Sequence, residues 1–285
     1  ITDLLIANQL VGSQRMMRLV ALRRIANPIC VVDCAAHVDA VSTAAAAAGV
    51  VVRTMVEVDV GMSRAGVQPG DRVLELAKRV HAAPGLELCG IMGYEGHLLL
   101  IPDLKEKEAK ISEAMACLVS QKVALEVAGL PCPIVSAGGS GSYPFTAQQP
   151  GLTEIQAGGA VFMDLLYRNQ CHVRDFDFAL TIDATVTSRP AVDRAIIDAG
   201  RKTMSQDFNM PEFVGRDGDL ELQFLSAEHG TCAVKDGCPG PEVGERVSLL
   251  PGYCDFTTVL HDRYYACRGD VVEAVWHLDT RGCKH

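Results

Sequence analysis

The chain has 285 residues, of which 48% are hydrophobic and 21% are charged, and this length and composition predict a soluble globular protein of two domains. Its formal net charge of −9 at pH 7 argues against a nucleic-acid partner and against binding to an anionic membrane surface. No apolar run approaches the roughly 20 residues that a membrane span needs.

The start of the sequence is unusual for a natural N-terminus. Ile1 stands where a methionine is usual, and the chain runs at once into the apolar stretch "LLIAN". A natural start rarely lies inside a core strand. We therefore expect that part of the natural protein precedes Ile1.

The first 170 residues alternate apolar strands with helices. Strands are predicted at 3–8, 29–33, 51–60, 86–95, 133–139 and 153–159. Helices are predicted between them, at 13–26, 37–48, 70–82 and 104–129. Apolar strands that are separated by helices of this length indicate parallel βαβ units.

Glycine and polar residues follow one predicted strand after another. They occur in "DVGMSRAG", "GYEGH", "AGGSGSYP" and "QAGGAVFMD". In a (β/α) barrel the carboxyl ends of the strands form the ligand face. The sequence therefore predicts an α/β fold of parallel βαβ units, with its candidate ligand residues at one edge, where a (β/α) barrel would have its ligand face.

From about residue 175 the sequence becomes rich in β-strand signals with Gly and Asp turns. Strands are predicted within 178–189, 220–230, 246–252, 257–269 and 271–279. One helix is predicted among them, in "AVDRAIIDAGRKTMS" (191–205). We expect a barrel domain at 1–172 and a mostly antiparallel β domain at 173–285.

Eleven cysteines are present, in an odd number, with scattered spacings and no CxxC pair. This pattern favours reduced thiols and a cytoplasmic protein over a disulfide framework or structural zinc. We expect most of these cysteines to be small buried apolar residues.

The stretch "SAGGSGSYP" (136–144) carries the strongest local signal for a ligand. Glycines let the backbone approach an anion, and Ser140, Ser142 and successive N–H groups can donate to phosphate oxygens. A lone glycine loop is about as often a sharp strand-to-helix turn. The glycine pair in "QAGGAVFMD" (156–164), at the next strand, favours the phosphate hypothesis, since adjacent late strands of such barrels commonly bind a phosphate.

Two other strand ends carry candidate ligand residues. Arg64 follows the strand that contains Glu57 and Asp59, and its guanidinium could donate to an anionic ligand oxygen. Tyr94 and His97 stand in "GYEGH", where an aromatic ring could stack on a planar ligand. A solvated arginine and a packing tyrosine or histidine are the ordinary alternatives.

Taken together and in order, the motifs resemble the alanine-racemase-like barrel family of pyridoxal-phosphate enzymes (fold type III), in particular its D-threonine aldolase and D-serine dehydratase branch. The motifs are "GMSRAGV", "GYEGH", "AGGSGSY", "QAGGAVFMD", "SAEHG", "PGYCDFTTVLHD" and "VVEAVWHLDTRG". They span nearly the whole chain. Each motif is weak alone, and their order is what makes the resemblance specific.

The resemblance implies a (β/α)8-type barrel that binds pyridoxal 5′-phosphate, together with the β-rich second domain and a homodimeric assembly. It implies that Arg64 lies near the phenolic oxygen of the cofactor, that Tyr94 faces its ring with His97 nearby, and that His229 reaches the site from the second domain. It assigns the cofactor phosphate to the following residues: Gly139, Ser140, Gly141, Ser142, Tyr143, Gly158 and Gly159.

The sequence departs from the family in its lysines. The family's Schiff-base lysine ends the first barrel strand, whereas the six strands here fit strands three to eight, so the first two βα units are absent. The lysines are Lys78, Lys105, Lys107, Lys110, Lys122, Lys202, Lys235 and Lys284, and none stands at a predicted strand end. We expect no covalent cofactor linkage in this chain, and hence no activity. Lys202, the one lysine worth examining, is expected to face solvent.

The second departure is in "PGYCDFTTVLHD" (251–262). In the branch this corner binds a divalent metal (Mn, Mg or Zn) through His-x-Asp or His-x-Cys, whereas here the positions are Tyr253 and Asp255. Tyrosine binds a metal well only as phenolate, which is costly near neutral pH. We expect a weak or absent metal, with Asp255 or His229 acting as acid or base, and a structural pair of His261 and Asp262 on a strand.

The resemblance thus implies a lyase that acts on small β-hydroxy-D-amino acids. We favour retro-aldol cleavage to glycine and an aldehyde, because Asp255 is a harder group than the cysteine that the branch's dehydratases carry there. The alternatives are D-serine dehydratase-like elimination, amino-acid racemisation, a non-catalytic cofactor-binding regulatory protein, and a phosphate-binding barrel without pyridoxal phosphate.

Overall fold

The computed structural model describes residues 1–216 and 218–283, so that Lys284, the last lysine considered above, lies outside the described residues. Two compact units make up the chain, residues 1–158 and residues 159–285. The domain boundary predicted between 172 and 173 stays a prediction.

Six parallel strands form the sheet of the first unit. They are β1 (Asp3–Gln9), β2 (Asn27–Val32), β3 (Val52–Glu57), β4 (Leu86–Met92), β5 (Ile134–Ala137) and β6 (Glu154–Ile155). Each strand pairs in parallel with the next along the chain, in the order β1-β2-β3-β4-β5-β6. This confirms the predicted βαβ architecture. That two further units complete a barrel stays a prediction.

Helices connect the strands. They are α1 (Ser13–Arg23), α2 (Ala35–Ala48), α3 (Asp71–Ala82), α4 (Leu104–Val127) and the short α5 (Tyr143–Thr146). The side chain of Asp103 caps α4 by accepting a hydrogen bond from the N–H of Glu106 at 2.8 Å. Gly49 ends α2 in the left-handed conformation, with φ 65°.

The core of the first unit lies against both faces of this sheet. Val32, Val56 and Ile91 are fully buried in a cluster that includes residues of α3 and α4. Val31 and Met55, which point to the opposite face, belong to a separate cluster. Burial on both faces explains why these strands have continuous apolar sequences rather than alternating ones.

The second unit contains a six-stranded antiparallel sheet and a two-stranded hairpin. The strands are β7 (Ile182–Ala191), β8 (Arg194–Ile197), β9 (Glu212–Phe213), β10 (Leu220–Leu225), β11 (Gly230–Val234), β12 (Arg246–Leu250), β13 (Arg263–Arg268) and β14 (Val271–His277). The sheet order is β10-β11-β8-β7-β12-β9, and β13 pairs with β14. Ile197, Leu225 and Leu249 are fully buried in its core. The predicted antiparallel β-rich architecture is confirmed.

The helix predicted at 191–205 is wrong. β7 and β8 form a hairpin whose turn is Val192 and Asp193. Ala195 and Ile197 are buried, whereas Arg194 is exposed, and this alternation has the period of a strand. The alanines and isoleucines of this stretch pack into a sheet, and that packing outweighs their helical propensity.

The cysteines are free thiols in the structure. Six of them are buried: Cys30, Cys89, Cys132, Cys171, Cys232 and Cys254. Cys34, Cys267 and Cys283 are exposed, so the expectation of buried apolar cysteines is wrong for these three. No helix in the described part of the chain combines the length and the apolar character that a bilayer crossing requires.

Candidate functional site

The glycine loop 138–142 follows β5 and leads into α5. Gly138 is left-handed, with φ 79°, a conformation that glycine adopts without strain. The N–H groups of Ser142 and Tyr143 donate to the carbonyl of Gly139 at 3.1 and 2.9 Å, and the N–H of Gly139 donates to Ser142 Oγ at 3.1 Å. The loop is therefore a buried, internally bonded turn that contains the predicted Gly139, Ser140, Gly141 and Ser142.

Two buried charged side chains hold this loop. Glu95 accepts hydrogen bonds from the N–H of Gly138 at 3.2 Å and from Thr146 Oγ1 at 2.6 Å. Lys107 Nζ donates to the carbonyl of Gly141 at 2.8 Å. Both side chains are fully buried, at 0% exposure. Charged residues are rarely buried without a specific partner. The contacts of Glu95 and Lys107 therefore indicate that these two side chains hold the backbone of the loop in place.

Sequence reasoning missed both residues. Glu95 stands in "GYEGH", in which the family resemblance implies roles for Tyr94 and His97 alone. Lys107 lies in a helix with several other lysines, yet it occupies the apolar stripe of α4, four residues before the buried Ile111. A lysine at an apolar position of a helix was the available signal.

Tyr94 and Arg64 lie together beside the glycine loop. A methyl group placed on Gly139 would lie 3.1 Å from Tyr94 Cε2, so the ring packs directly on this glycine. The guanidinium carbon of Arg64 is 5.3 Å from the centroid of the same ring, which is a cation–π distance. The ends of β3 and β4 thus bring one cation and one aromatic ring to the loop after β5.

His97 is exposed in a 3₁₀ turn, Gly96–Leu98, after β4. Its Nε2 would lie 3.1 Å from a methyl group on Gly61, so the imidazole ring contacts the loop that follows β3. Its expected place near the cofactor stays a prediction.

The second glycine pair opens the 3₁₀ turn Gly158–Val161 after β6. Among the described residues, nothing lies within 4 Å of a methyl group placed on Gly158, so backbone is accessible there. A methyl group on Gly159 would lie 2.6 Å from Tyr167 Cε2, so this glycine is needed for close packing against Tyr167. That both glycines contact a phosphate stays a prediction.

The candidate metal corner lies where β12 ends and the short helix α6 (Cys254–Thr258) begins, with Tyr253 as its N-cap residue. The hydroxyl of Tyr253 donates to Asp255 Oδ2 at 2.7 Å. Burial raises the pKa of Tyr253, and the hydrogen bond to Asp255 and its negative charge raise it further. The phenol therefore remains protonated near neutral pH. Its hydrogen bond occupies Oδ2 of the carboxylate that a metal would need.

Asp164 fixes the backbone of this corner. Its buried carboxylate accepts hydrogen bonds from the N–H of Cys254 at 2.8 Å and from the N–H of Tyr167 at 3.0 Å. Burial raises the pKa of Asp164, although the backbone donors oppose the shift. The N–H groups of Leu165 and Leu166, the next two residues, donate to the carbonyls of Pro251 and Gly252. In the sequence, only its place in "QAGGAVFMD" pointed to Asp164.

Aromatic rings surround Tyr253. Its ring centroid lies 5.3 Å from that of Phe208 and 5.0 Å from that of Phe256, both in edge-to-face geometry. Phe208 has φ 67°, which is unusual for a bulky residue, and it is 54% exposed, while Phe256 is 48% exposed. Gly252 permits this arrangement, since a methyl group there would lie 1.9 Å from the carbonyl oxygen of Asn209.

His229 and Lys202 lie on the surface of the second unit. His229 is exposed in the turn between β10 and β11, where its backbone carbonyl accepts from Ser226. Its predicted acid–base role stays a prediction. Lys202 pairs with Glu228 and its side chain is 69% exposed, so the expectation that it faces solvent is confirmed.

The expected pair of His261 and Asp262 does not form on a strand. Both residues precede β13. His261 Nε2 lies 2.7 Å from the carbonyl oxygen of Thr203, and Asp262 pairs with Arg281 at 2.6 Å. The prediction is wrong because 254–258 forms α6, so that the strand begins only at 263.

One other cluster has metal-ligand chemistry. In the described part of the chain, Asp33, Cys34 and His37 form the one group of three His, Cys, Asp or Glu side chains whose ligand atoms all lie within 4.8 Å of one another. Asp255 does not belong to such a group.

The corner formed by Tyr253 and Asp255 thus combines a protonated phenol with a carboxylate that is already hydrogen-bonded. It does not fit a divalent metal.

Comparisons with known proteins agree on the family of the chain. Residues 7–165 match the family described as "Alanine racemase, N-terminal domain", and residues 179–267 match "Putative serine dehydratase domain". The D-threonine aldolase of Arthrobacter sp is 34% identical, over 99% of this chain and 75% of that protein. The 3-hydroxy-D-aspartate aldolase of Paracoccus denitrificans (strain Pd 1222) is also 34% identical, over 99% and 74%. The crystal structure of D-threonine aldolase from Filomicrobium marinum superposes with a TM-score of 0.94, at 32% identity, over 100% of this chain and 78% of that one.

Proposed function

Because the chain belongs to the alanine-racemase-like family of pyridoxal-phosphate proteins, in its D-threonine aldolase branch, we propose that it is a pyridoxal-phosphate-dependent lyase of β-hydroxy-D-amino acids. The reaction that we propose is cleavage of the Cα–Cβ bond to give glycine and an aldehyde. The observation that carries this proposal is the pair of Tyr253 and Asp255, which offers a carboxylate as base without a metal.

The residues of the first unit fit the cofactor. The glycine loop 138–142 provides a turn with two buried serines. The carbonyl of Gly139 accepts from the N–H groups of Ser142 and Tyr143, and that of Gly141 accepts from Lys107 Nζ. Tyr94 provides an aromatic face and Arg64 a cation beside it. When bound, pyridoxal phosphate supplies an electron sink for the negative charge that develops at the α-carbon.

Asp255 is proposed as the general base. Tyr253 engages its Oδ2, so Oδ1 is the oxygen proposed to accept the proton of the substrate β-hydroxyl as the Cα–Cβ bond breaks. The role of Tyr253 is to orient this carboxylate. The proposed step uses no metal at the corner, where the protonated phenol is a poor ligand.

The aromatic cluster supports a preference for an uncharged substituent on the β-carbon. Phe208 and Phe256 expose about half of their surface beside Tyr253, which bonds the proposed base. An apolar or aromatic group gains from contact with these rings, whereas a carboxylate loses hydration there. We therefore propose cleavage of D-threonine-like and β-aryl substrates over 3-hydroxy-D-aspartate.

Aldehyde release tests the proposal. The purified protein, in a form that includes any segment upstream of residue 1, is supplied with pyridoxal phosphate and with D-threonine, β-phenyl-D-serine or 3-hydroxy-D-aspartate. We expect glycine and aldehyde, and a loss of about 100-fold or more in kcat for Asp255→Asn. Pyruvate and ammonia from D-serine would indicate a dehydratase, and D,L interconversion a racemase. Cofactor binding without any turnover would indicate a carrier protein.

The covalent attachment of the cofactor is a separate question. Lys202 is exposed, and Lys107 is buried in a contact with Gly141. We propose that neither forms the Schiff base, and that residues 1–285 alone do not catalyse the reaction. Borohydride reduction with pyridoxal phosphate, followed by peptide mass spectrometry, tests this, since a labelled lysine within 1–285 would contradict it. The homodimer that the family resemblance implies is tested by light scattering.

A further inference from the structure

The glycine loop lies between two buried side chains of opposite charge. Glu95 accepts from the loop's first N–H, at Gly138, and Lys107 donates to the carbonyl of Gly141 at its other end. Four of the polar side chains in this region are at or below 3% exposure: Glu95, Lys107, Ser140 and Ser142. An ammonium or a carboxylate loses its hydration when it is buried, which costs free energy that an exposed group does not lose. The burial of both Glu95 and Lys107 at this loop therefore needs a specific explanation.

Packing alone does not require a lysine at this position of α4. The buried face of the helix continues with Ile111, Met115 and Leu118, and an apolar residue would fill the same stripe. Lys110, one turn along the helix, shows the usual alternative, since it is exposed and pairs with Glu106 at 2.6 Å. Lys107 instead extends to the backbone of the loop after β5, 34 residues away.

The position of the amine has an electrostatic consequence. A buried cation attracts an anion that is bound to N–H groups nearby. A buried charge is also screened little by salt, so its effect extends over several ångströms. This attraction acts on a phosphate at the glycine loop and does not act on the uncharged part of a ligand.

We propose that Lys107 is the buried counter-charge to the phosphate group that binds at loop 138–142, and that it acts as a positioning residue through the Gly141 peptide. Glu95 holds the opposite end of the loop, so that the two side chains fix its backbone before the ligand binds. This inference deepens the proposed function, on which it rests for the identity of the phosphorylated ligand.

The test compares ligands with and without the phosphate. Binding of pyridoxal 5′-phosphate, pyridoxal and inorganic phosphate is measured by calorimetry for the wild type, Lys107→Met and Lys107→Arg, with Lys110→Met as the matched control on the same helix. We expect Lys107→Met to weaken binding of pyridoxal 5′-phosphate and of phosphate by about tenfold or more, and binding of pyridoxal by less than about twofold. Lys107→Arg should recover part of the loss, and Lys110→Met should bind as the wild type does.

A purely structural role for Lys107 predicts a different result. Melting temperatures and the ³¹P chemical shift of the bound cofactor are recorded for each variant. Equal losses for pyridoxal and pyridoxal 5′-phosphate, or an unchanged affinity and ³¹P shift in Lys107→Met, would overturn the inference while leaving the lyase proposal intact. If Lys107→Met does not fold, Lys107→Arg and Lys107→Gln carry the same comparison.

The two proposals fail in distinguishable ways. Wild-type protein that binds phosphate in a Lys107-dependent manner but does not bind pyridoxal 5′-phosphate would contradict the lyase proposal and support the role of Lys107. Wild-type protein that binds neither ligand would overturn both.

Discussion

The hydroxyl of Tyr253 donates a hydrogen bond to Asp255 Oδ2 at 2.7 Å, at the corner where members of this branch are expected to bind a metal. The phenol thus satisfies the carboxylate that would otherwise be a metal ligand. The rings of Phe256 and Phe208 pack edge-to-face on the tyrosine ring, with centroids 5.0 and 5.3 Å from its own. At this corner, the partner of the Asp255 carboxylate is therefore the neutral hydroxyl of Tyr253.

The first prediction is that Tyr253→His creates a metal site. An imidazole two residues before Asp255 supplies the neutral nitrogen ligand that the corner lacks. We expect Mn²⁺ or Zn²⁺ affinity to rise by about tenfold or more over the wild type, measured by equilibrium dialysis with elemental analysis. The double variant Tyr253→His with Asp255→Asn is the control and should lose the gain.

Metal that is retained by the wild type needs to be assigned to a position. His37→Gln removes a ligand from the cluster of Asp33, Cys34 and His37 without touching the corner. Stoichiometric metal that survives His37→Gln but is lost in Asp255→Asn would contradict the metal-free corner.

The second prediction concerns alkaline pH. The pKa of Tyr253 is raised above the ordinary value of 10.0, first by burial and then by Asp255. Since the folded-state pKa is the higher one, the contribution of the neutral phenol to stability is complete below pH 10 and decreases above it. We expect the wild type to lose stability relative to Tyr253→Phe only above that pH, measured by denaturant unfolding at pH 8 and pH 11. An equal difference at both values would contradict the raised pKa.

The third prediction concerns Glu57, which is 4% exposed at the end of β3. Burial raises the pKa of Glu57, while the hydrogen bond from Gln9 and the charge of Arg64 partly oppose the shift. The raised folded-state pKa means that stability is present below the unfolded value of 4.5 and decreases as pH rises through the folded value. Glu57→Gln should therefore raise the melting temperature more at pH 7 than at pH 4, as measured by calorimetry. A larger gain at pH 4 would contradict this.

The pattern of apolar residues in the sequence was sufficient to predict the parallel strands and the helices between them. The apolar stretches around Val32, Val56 and Ile91 predict parallel strands because burial on both faces requires continuous apolar residues. The helix predicted at 191–205 failed because its alanines and isoleucines fit a helix or a strand by composition. Pairing of β8 with β7 and β11 decided in favour of the strand. Short segments are determined by such long-range partners, which a local pattern does not contain.

The residues of the candidate site that lie within one sequence motif could be predicted. The residues that join the site through long-range contacts could not. Glycines and serines in the loop after β5 are adjacent in sequence, so their grouping was visible. Glu95, Lys107 and Asp164 bond to backbone groups 43, 34 and 90 residues away. Those partners are determined by the fold, and only the apolar stripe of α4 pointed to one of the three.

The fourth prediction tests how Gly252 shapes the aromatic cluster. A methyl group there would lie 1.9 Å from the carbonyl oxygen of Asn209, which is backbone and does not move aside easily. Gly252→Ala should therefore lower the free energy of unfolding by about 1–3 kcal/mol and displace Phe208, the residue before Asn209. Gly158→Ala is the stability control, since among the described residues nothing lies within 4 Å of the added methyl group.

The displacement also has a functional consequence that distinguishes it from a general loss of stability. If Phe208 contacts the β-substituent, kcat/KM for β-phenyl-D-serine should fall by more than about fivefold in Phe208→Ala and Gly252→Ala, while kcat/KM for D-threonine falls less. The ratio of the two substrates, measured well below the melting temperature, is independent of the fraction of folded enzyme. An unchanged ratio in both variants would remove Phe208 from the substrate site and leave Gly252 with a structural role alone.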